Sequence, residues 1–302
     1  MTTLIATAAD WHPVELSKFA RPAPVRGVLV CEPTAFDVVD VRNAHMSENV
    51  GRIDRAAARE EWKAMVHAFE AHGLEVETLP PRADSVDMVF TANPCLTGVD
   101  QHGSKIAILS RMRHPERVDE VESHEEWLTA AGYRLHQLPD EVAGAWEGGG
   151  DAIWHPGHAV LWGGYGERSD REIYPALADL LGIPIATLKL VDPAFYHLDT
   201  CLAVLGPSSA AWIPSAFDDT GRELLEKAFE TLVEVDLDEG RAQLACNLYC
   251  PNGETVYLPA GSPVTRGHLE ARGHHVVEIE TGEFLKSGGS IYCMRQDLYA
   301  TC

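Results

Sequence analysis

Gly288-Gly289-Ser290-Ile291-Tyr292-Cys293-Met294-Arg295-Gln296-Asp297-Leu298, at the C-terminal end, reads as a polar strand with no helix after it. At the other end, Arg26-Gly27-Val28-Leu29-Val30-Cys31-Glu32-Pro33 reads as an apolar strand with no polar strand before it. Between them one unit recurs: polar strand, apolar strand, amphipathic helix, alternating strand. The two incomplete pieces complete each other if the chain closes into a ring, which makes five units in all.

The other polar strands are read over residues 88–96, 148–156, 197–205 and 244–250. The apolar strands that follow them span residues 105–112, 158–166, 209–217 and 254–261. Five helices are marked by apolar stripes. The first carries Trp62, Met65, Val66 and Phe69, and the second Val118, Val121, Trp127, Leu128 and Ala131. The third carries Ile173, Ala176, Leu177, Leu180 and Leu181, and the fourth Leu224, Leu225, Ala228, Phe229 and Leu232. The fifth runs from Val264 to Arg272, with Pro263 suited to its first turn. Gly73, Gly132, Gly182 and Gly273 stand at helix ends, where a left-handed C-cap favours glycine. Alternating strands follow each helix. The fold class is therefore α/β: a five-bladed α/β propeller with pseudo-fivefold strand–strand–helix–strand repeats. Closure removes exposed sheet edges and brings the polar strands together around a small-molecule pocket. An open α/β sandwich without symmetry is the alternative. No Gly/Ser- or Pro-rich linker divides the chain, so residues 25–302 are read as a single catalytic domain after an N-terminal extension, 1–24.

Composition narrows the function. Of 302 residues, 45% are hydrophobic and 23% charged, an ordinary globular balance. The formal net charge of -22 argues against nucleic acid and anionic lipid as partners and is compatible with a small cationic substrate. No apolar run reaches the roughly 18 residues of a membrane span. The N-terminal stretch has no basic front end, and Asp10, Trp11 and His12 interrupt its apolar residues, unlike a secretory signal. Seven cysteines, an odd count without a dense framework, read as reduced thiols in the cytoplasm. Cys246 and Cys250 lack a second ligand pair at zinc spacing, so no metal is expected. A homodimer is compatible with the acidic surface.

Three segments carry chemistry: Trp146-Glu147-Gly148-Gly149-Gly150-Asp151, Phe195-Tyr196-His197-Leu198-Asp199-Thr200 and Ser287 to Cys293. Each begins a polar strand, so closure gathers a carboxylate, an imidazole and a thiol. A thiolate attacks an electrophilic carbon, a histidine carries a proton to the leaving amine, and a carboxylate orients the histidine or holds a cation. Singly, each has a plainer reading. A lone cysteine is usually a small hydrophobe, a lone histidine is structural, and three glycines form a turn. No helix is expected to open at the glycines, so they are not a dinucleotide-binding motif. Their shared place in separate repeats favours the site.

From Val28 to about Leu298 the chain resembles the guanidino-group modifying (pentein) superfamily. That group includes dimethylarginine dimethylaminohydrolase, arginine deiminase, arginine dihydrolase and glycine amidinotransferase. Met88 to Leu96 resembles the family's first substrate-binding strand, Trp146 to Trp154 its Glu-Gly-x-Gly-Asp segment, Phe195 to Leu202 its His-x-Asp-Thr segment and Gly288 to Cys293 its nucleophile loop. The resemblance implies the pentein propeller and a set of roles. Cys293 forms a thiouronium adduct with the guanidinium carbon. His197 protonates the departing amine and then activates water. Glu147 binds the guanidinium. Asp87 and Asn93 face its nitrogens, Asp199 supports the site near His197, and Arg168 binds a substrate carboxylate. Phe90, Asn43 and Asp151 complete the implied substrate-binding set, with no cofactor. Two departures bear on the substrate. Relatives near arginine dihydrolase carry Ile-Asn-Pro-Trp-Met where this chain has Arg42-Asn43-Ala44-His45-Met46, and methylarginine hydrolases carry Asp at the position of Asn93.

The function this implies is hydrolysis at a guanidino carbon. An N-methylated arginine gives citrulline and an alkylamine; arginine gives citrulline and ammonia, or ornithine after a second cut. The compact chain with no appended domain leans toward the methylarginine. An amidinotransferase, in which an amine resolves the adduct, and a silent binding protein are the alternatives.

Overall fold

The computed structural model describes residues 4–16 and 23–300; parts of the expected 1–24 extension and Cys302 lie outside the described residues. The fold is mixed α/β. Its strands form five separate sheets, and no ladder among the described residues joins one sheet to the next.

The expected pairing of the two chain ends is present. Gln296–Tyr299 runs antiparallel to Val25–Cys31, with Gln296 opposite Leu29 and Leu298 opposite Gly27. Val25–Cys31 then pairs in parallel with Glu75–Leu79, reached through the helix Arg55–Ala71. An antiparallel pair followed by a parallel crossover recurs in three more sheets. Cys95–Val99, Lys105–Leu109 and Arg134–His136 form one around the helix Val118–Ala130. Ala152–Trp154, Leu161–Tyr165 and Ile185–Lys189 form another around Tyr174–Leu181. Leu202–Gly206, Ser209–Trp212 and Thr231–Glu234 form the next around Asp219–Ala228. Leu4–Ile5 adds a parallel edge strand beside Ile185–Lys189.

Local chemistry starts and stops these elements as the pattern indicates. The Asp54 carboxylate accepts from the backbone N–H of Ala56 and Ala57 and caps the first helix. The glycines ending four helices have φ of 84°, 79°, 68° and 87° at Gly73, Gly132, Gly182 and Gly273. On the first helix Met65 and Phe69 are fully buried, and the Phe69 ring meets Tyr257, a residue of the fifth sheet, edge-on at 4.8 Å.

Two expectations are corrected. The fifth sheet has only Thr255–Pro259 paired with His275–Ile279, around the helix Pro263–Glu270. Residues 244–250 contribute one bridge, Tyr249 to Tyr257, instead of a strand. Leu244 takes a left-handed φ of 50°, and the polar groups of Asn247 are engaged by other segments, so no ladder forms there. The chemistry-bearing segments are also not strand starts. Glu147 precedes one helical turn, Gly148–Asp151; His197 precedes the 3-10 turn Leu198–Thr200; residues 291–294 form a turn. The strands begin only afterwards. Tight turns satisfy the backbone locally and leave the polar side chains free to face a cavity.

Candidate active site

The turns that precede the inner strands converge on one cavity, lined by Cys293, His197, Asn93, Phe90, Asp87, Arg168 and their neighbours. Cys293 is nearly buried. Its Sγ lies 3.2 Å from Asp199 Oδ2 and 3.2 Å from Asn247 Nδ2. Asn247 Oδ1 accepts from the Cys293 N–H at 3.2 Å, and its Nδ2 also donates to the Asp199 carbonyl at 3.1 Å. One amide thus positions both the sulfur and the carboxylate beside it.

His197 Nε2 lies 2.7 Å from Glu147 Oε2 and 4.0 Å from Asp151 Oδ2. Glu147 is fully buried. Its Oε1 accepts from the Arg113 N–H at 3.1 Å, and its Oε2 also accepts from Arg168 Nη1 at 3.2 Å. Both oxygens are therefore engaged, and Glu147 stands behind the imidazole. Nε2 is held by this contact, so Nδ1 is the ring nitrogen available to a reacting group. Burial alone would push the Glu147 carboxyl up, but the His197 hydrogen bond and charge, with Arg168 and Arg117, hold it well below the usual carboxylate range. Asp151 is placed away from the cavity wall. It accepts from Ser169 Oγ at 2.6 Å and from the Leu198 N–H at 3.0 Å, which anchors the turn after His197.

Asp199 is the unusual carboxylate. It is fully buried, and its Oδ1 has no hydrogen-bond partner among the described residues. Burial pushes its carboxyl up to about 7, against the thiol hydrogen bond and the Arg295 charge. Burial, and then Asp199 itself, raise the Cys293 thiol well above its ordinary range. Empty of cation, the site thus disfavours a thiolate. A cation beside Oδ1 would reverse both effects.

The remaining side chains form a mixed-charge rim. Asp87 pairs with Arg42 Nη2 at 2.6 Å and accepts from Ser287 Oγ at 3.3 Å. Asn43 donates to the Ser287 carbonyl at 3.0 Å and caps the turn at His45 and Met46, tying that loop to the nucleophile loop. Asn93 Oδ1 accepts from Arg117 Nη1 at 3.2 Å, and Arg117 is itself paired with Glu120 at 2.7 Å. Arg168 is buried rather than a surface residue, with its guanidinium 4.6 Å from the centre of the Tyr196 ring. Carboxylates and arginines together suit a zwitterionic ligand that carries a further cation.

Glycines let these turns meet. A Cβ on Gly150 would lie 2.4 Å from Asn93 Nδ2, and one on Gly289 would lie 2.2 Å from the Phe90 ring. Gly289→Ala is expected to displace Phe90, costing about 1–3 kcal/mol of stability and lowering kcat/KM at least about tenfold. Thermal melting and steady-state kinetics check this; unchanged kcat/KM would show that the contact is dispensable.

Pattern reading missed Asn247, Arg42, Arg117 and Tyr196 as site residues. The repeat itself held a signal for Asn247, since residues 244–250 were the one polar segment left without a role. No sequence motif marks Arg117 and Glu120, which tertiary packing buries.

Comparison with known proteins identifies the family. Residues 33–300 match the model of the family described as N,N dimethylarginine dimethylhydrolase, eukaryotic. The bifunctional arginine dihydrolase/ornithine cyclodeaminase AgrE of Nostoc is 34% identical over 268 residues, which is 88% of this chain and 37% of that protein. The chain thus spans little more than a third of that relative's length. The N(G),N(G)-dimethylarginine dimethylaminohydrolase of Mycobacterium tuberculosis is 31% identical over 93% of this chain and 88% of its own. A crystal structure of the N-terminal domain of ArgZ, a Synechocystis protein, covalently bound to a reaction intermediate, superposes with a TM-score of 0.83 at 30% identity, over 89% of this chain and 96% of that one. By these matches the chain belongs to the N,N dimethylarginine dimethylhydrolase family.

Proposed function

We propose that the chain hydrolyses the guanidino carbon of arginine or of an N-methylated arginine through a thiouronium adduct on Cys293. The observation that carries this reading is the buried Asp199 carboxylate, with one unpartnered oxygen, 3.2 Å from the Cys293 sulfur. A planar cation seated on Asp199 is held face-on to the nucleophile and supplies the positive charge that a buried thiolate needs. His197, oriented by Glu147, passes a proton to the leaving amine through Nδ1 and then withdraws one from the water that resolves the adduct. Asn93 and Phe90 bound the guanidinium, and Arg168, with Arg42, takes the α-carboxylate. Asp87, Ser287 and Asn43 hold the amino-acid end. Asp151 keeps the His197 turn in place rather than touching substrate.

In the same reading the five sheets surround the site as blades of a propeller, supported by the recurring topology and by the pairing of the chain ends. Residues 25–302 form the catalytic domain and 1–24 an extension. No helix among the described residues is long and apolar enough to cross a membrane. The six free cysteines among the described residues favour a reducing, cytoplasmic setting. The acidic charge favours a small cation over nucleic acid as ligand and leaves a homodimer open to measurement.

Incubation with arginine, monomethylarginine, asymmetric dimethylarginine and agmatine, followed by mass identification of products, tests the reading. Citrulline with ammonia or an alkylamine, or ornithine with ammonia, supports it. Product only when glycine is added would mean an amidinotransferase, and no turnover of any of the four would overturn the proposal.

The pH dependence follows from Asp199. Because burial raises its folded value above the unfolded one of about 3.9, it favours the unliganded fold below that pH and ceases to do so as pH rises through about 7. Cation binding needs the ionised form, so the sign is opposite for catalysis. The kcat/KM profile is expected to rise with pH through about 7, and Asp199→Asn is expected to lose that limb along with most of the activity. A flat wild-type profile from pH 5.5 to 8 on the order of one unit either side of that value would contradict the assignment.

A further inference from the structure

The catalytic cavity leaves only about 20 Å³ of free space, room for little more than a water. Next to it lies a wider recess of about 600 Å³. Both are lined by Arg42, Asn43, Arg168 and Tyr196, so these four residues form the partition between them. A guanidino compound entering from the recess has to displace part of that partition. Arg168 and Tyr196 are anchored in it. Arg168 Nη1 donates to Glu147, its guanidinium packs 4.6 Å from the centre of the Tyr196 ring, and the Tyr196 hydroxyl donates to the Gly288 carbonyl at 2.5 Å.

Arg42 is held by charge alone. Its Nη2 lies 2.6 Å from Asp87 Oδ2, and its Nε lies 3.0 Å from Asp40 Oδ1. The Arg42 and Asp87 side chains are 6% and 4% exposed, against 47% for Asp40. Among the described residues Asp87 is the only carboxylate that lines the catalytic cavity. Its Oδ1 accepts from Ser287 Oγ, so an incoming ammonium finds Asp87 already closed on Arg42. The other arginines of the lining have partners of their own, Arg117 with Glu120 and Arg168 with Glu147. A ligand that splits the Arg42–Asp87 pair and replaces only one partner leaves the other as a nearly buried, uncompensated charge, which is costly. A ligand that brings one charge of each sign leaves neither.

We infer that the Arg42–Asp87 pair selects guanidino compounds that end in an α-amino acid, by exchanging one ion pair for two. The α-ammonium replaces Arg42 on Asp87, and the α-carboxylate takes the released Arg42, whose Nε stays with Asp40. This selection rests on the proposed use of the cavity for guanidino substrates and adds which far end they carry. Agmatine has the ammonium without the carboxylate, so it occupies Asp87 and strands Arg42. The deaminated acid, 5-guanidinopentanoate, occupies Arg42 and strands Asp87.

Isothermal titration of the full chain carrying Cys293→Ser with arginine, agmatine and 5-guanidinopentanoate tests the inference without turnover. Arginine is expected to bind at least about 10²-fold more tightly than either analogue. Arg42→Met in that background is expected to raise the affinity of agmatine relative to arginine at least about tenfold, because no cation is then stranded. Asp87→Asn is expected to raise that of 5-guanidinopentanoate relative to arginine by a similar factor, about tenfold or more. A merely structural pair would not send the two variants toward opposite analogues. The double variant Arg42→Met/Asp87→Asn leaves no unpaired charge, with thermal melting confirming its fold. It is expected to bind arginine and 5-guanidinopentanoate within about tenfold of each other. Comparable affinities for all three ligands in the starting chain, no binding of arginine, single variants that favour the same analogue or neither, or a folded double variant that keeps the full preference for arginine would each overturn the selection. If these ratios hold while the wild type turns over no guanidino compound, the selection stands and the proposed reaction alone falls.

Discussion

Cys293→Ser is expected to lower turnover by about 10⁴-fold or more while a guanidino substrate still binds. The sulfur lies at the cavity wall, and its removal leaves Asp199, His197 and Glu147 in place to hold and orient the ligand. Serine is a much weaker nucleophile than a thiol at neutral pH. Calorimetry with the active member of the substrate panel gives the affinity, and product formation gives the rate. Activity within about tenfold of wild type would remove Cys293 from the mechanism.

The environment of the thiol adds a condition on how it is probed. Burial and the neighbouring Asp199 carboxylate disfavour the thiolate in the empty cavity. A neutral alkylating agent therefore meets a poorly ionised sulfur, whereas an amidinium reagent brings its own positive charge to Asp199. On the proposed mechanism, reactivity at Cys293 is expected to depend on a bound cation, so low reactivity toward a neutral reagent alone would not mark a silent binding protein.

His197→Ala is expected to slow release of the first amine by about 10²–10⁴-fold, with a change in substrate affinity of less than about tenfold. The imidazole touches the ligand chiefly through proton transfer, since its other nitrogen is tied to Glu147 at 2.7 Å. A poor leaving amine must be protonated as the C–N bond breaks, and among the described residues no other imidazole lines the cavity. Single-turnover kinetics separates the two quantities. A loss confined to binding, with the amine released at the wild-type rate, would make His197 a binding residue only.

The two chain-end segments were the most informative part of the sequence. Their incomplete patterns specified that residues 296–299 pair with residues 25–31, the longest-range contact in the fold. The helices and their glycine ends were legible because apolar spacing and left-handed caps are local properties. Residues 244–250 were not, because their alternation looked like a strand while Asn247 was already committed to Cys293 and Asp199. Similarly, Glu147 was expected on the guanidinium. In the structure both Glu147 oxygens have protein partners, whereas Asp199 Oδ1 has none among the described residues.

Residue order alone specified the α/β repeat, the thiol–imidazole–carboxylate set and the family, since periodicity and motif order survive without coordinates. Three-dimensional packing alone decided which carboxylate meets the histidine and which keeps an unpartnered oxygen. It also buried Arg117 and Arg168 and closed Arg42 on Asp87. Those outcomes depend on which polar groups find partners across segments far apart in sequence, and on how completely water is removed from them, and neither is encoded in any local stretch of chain.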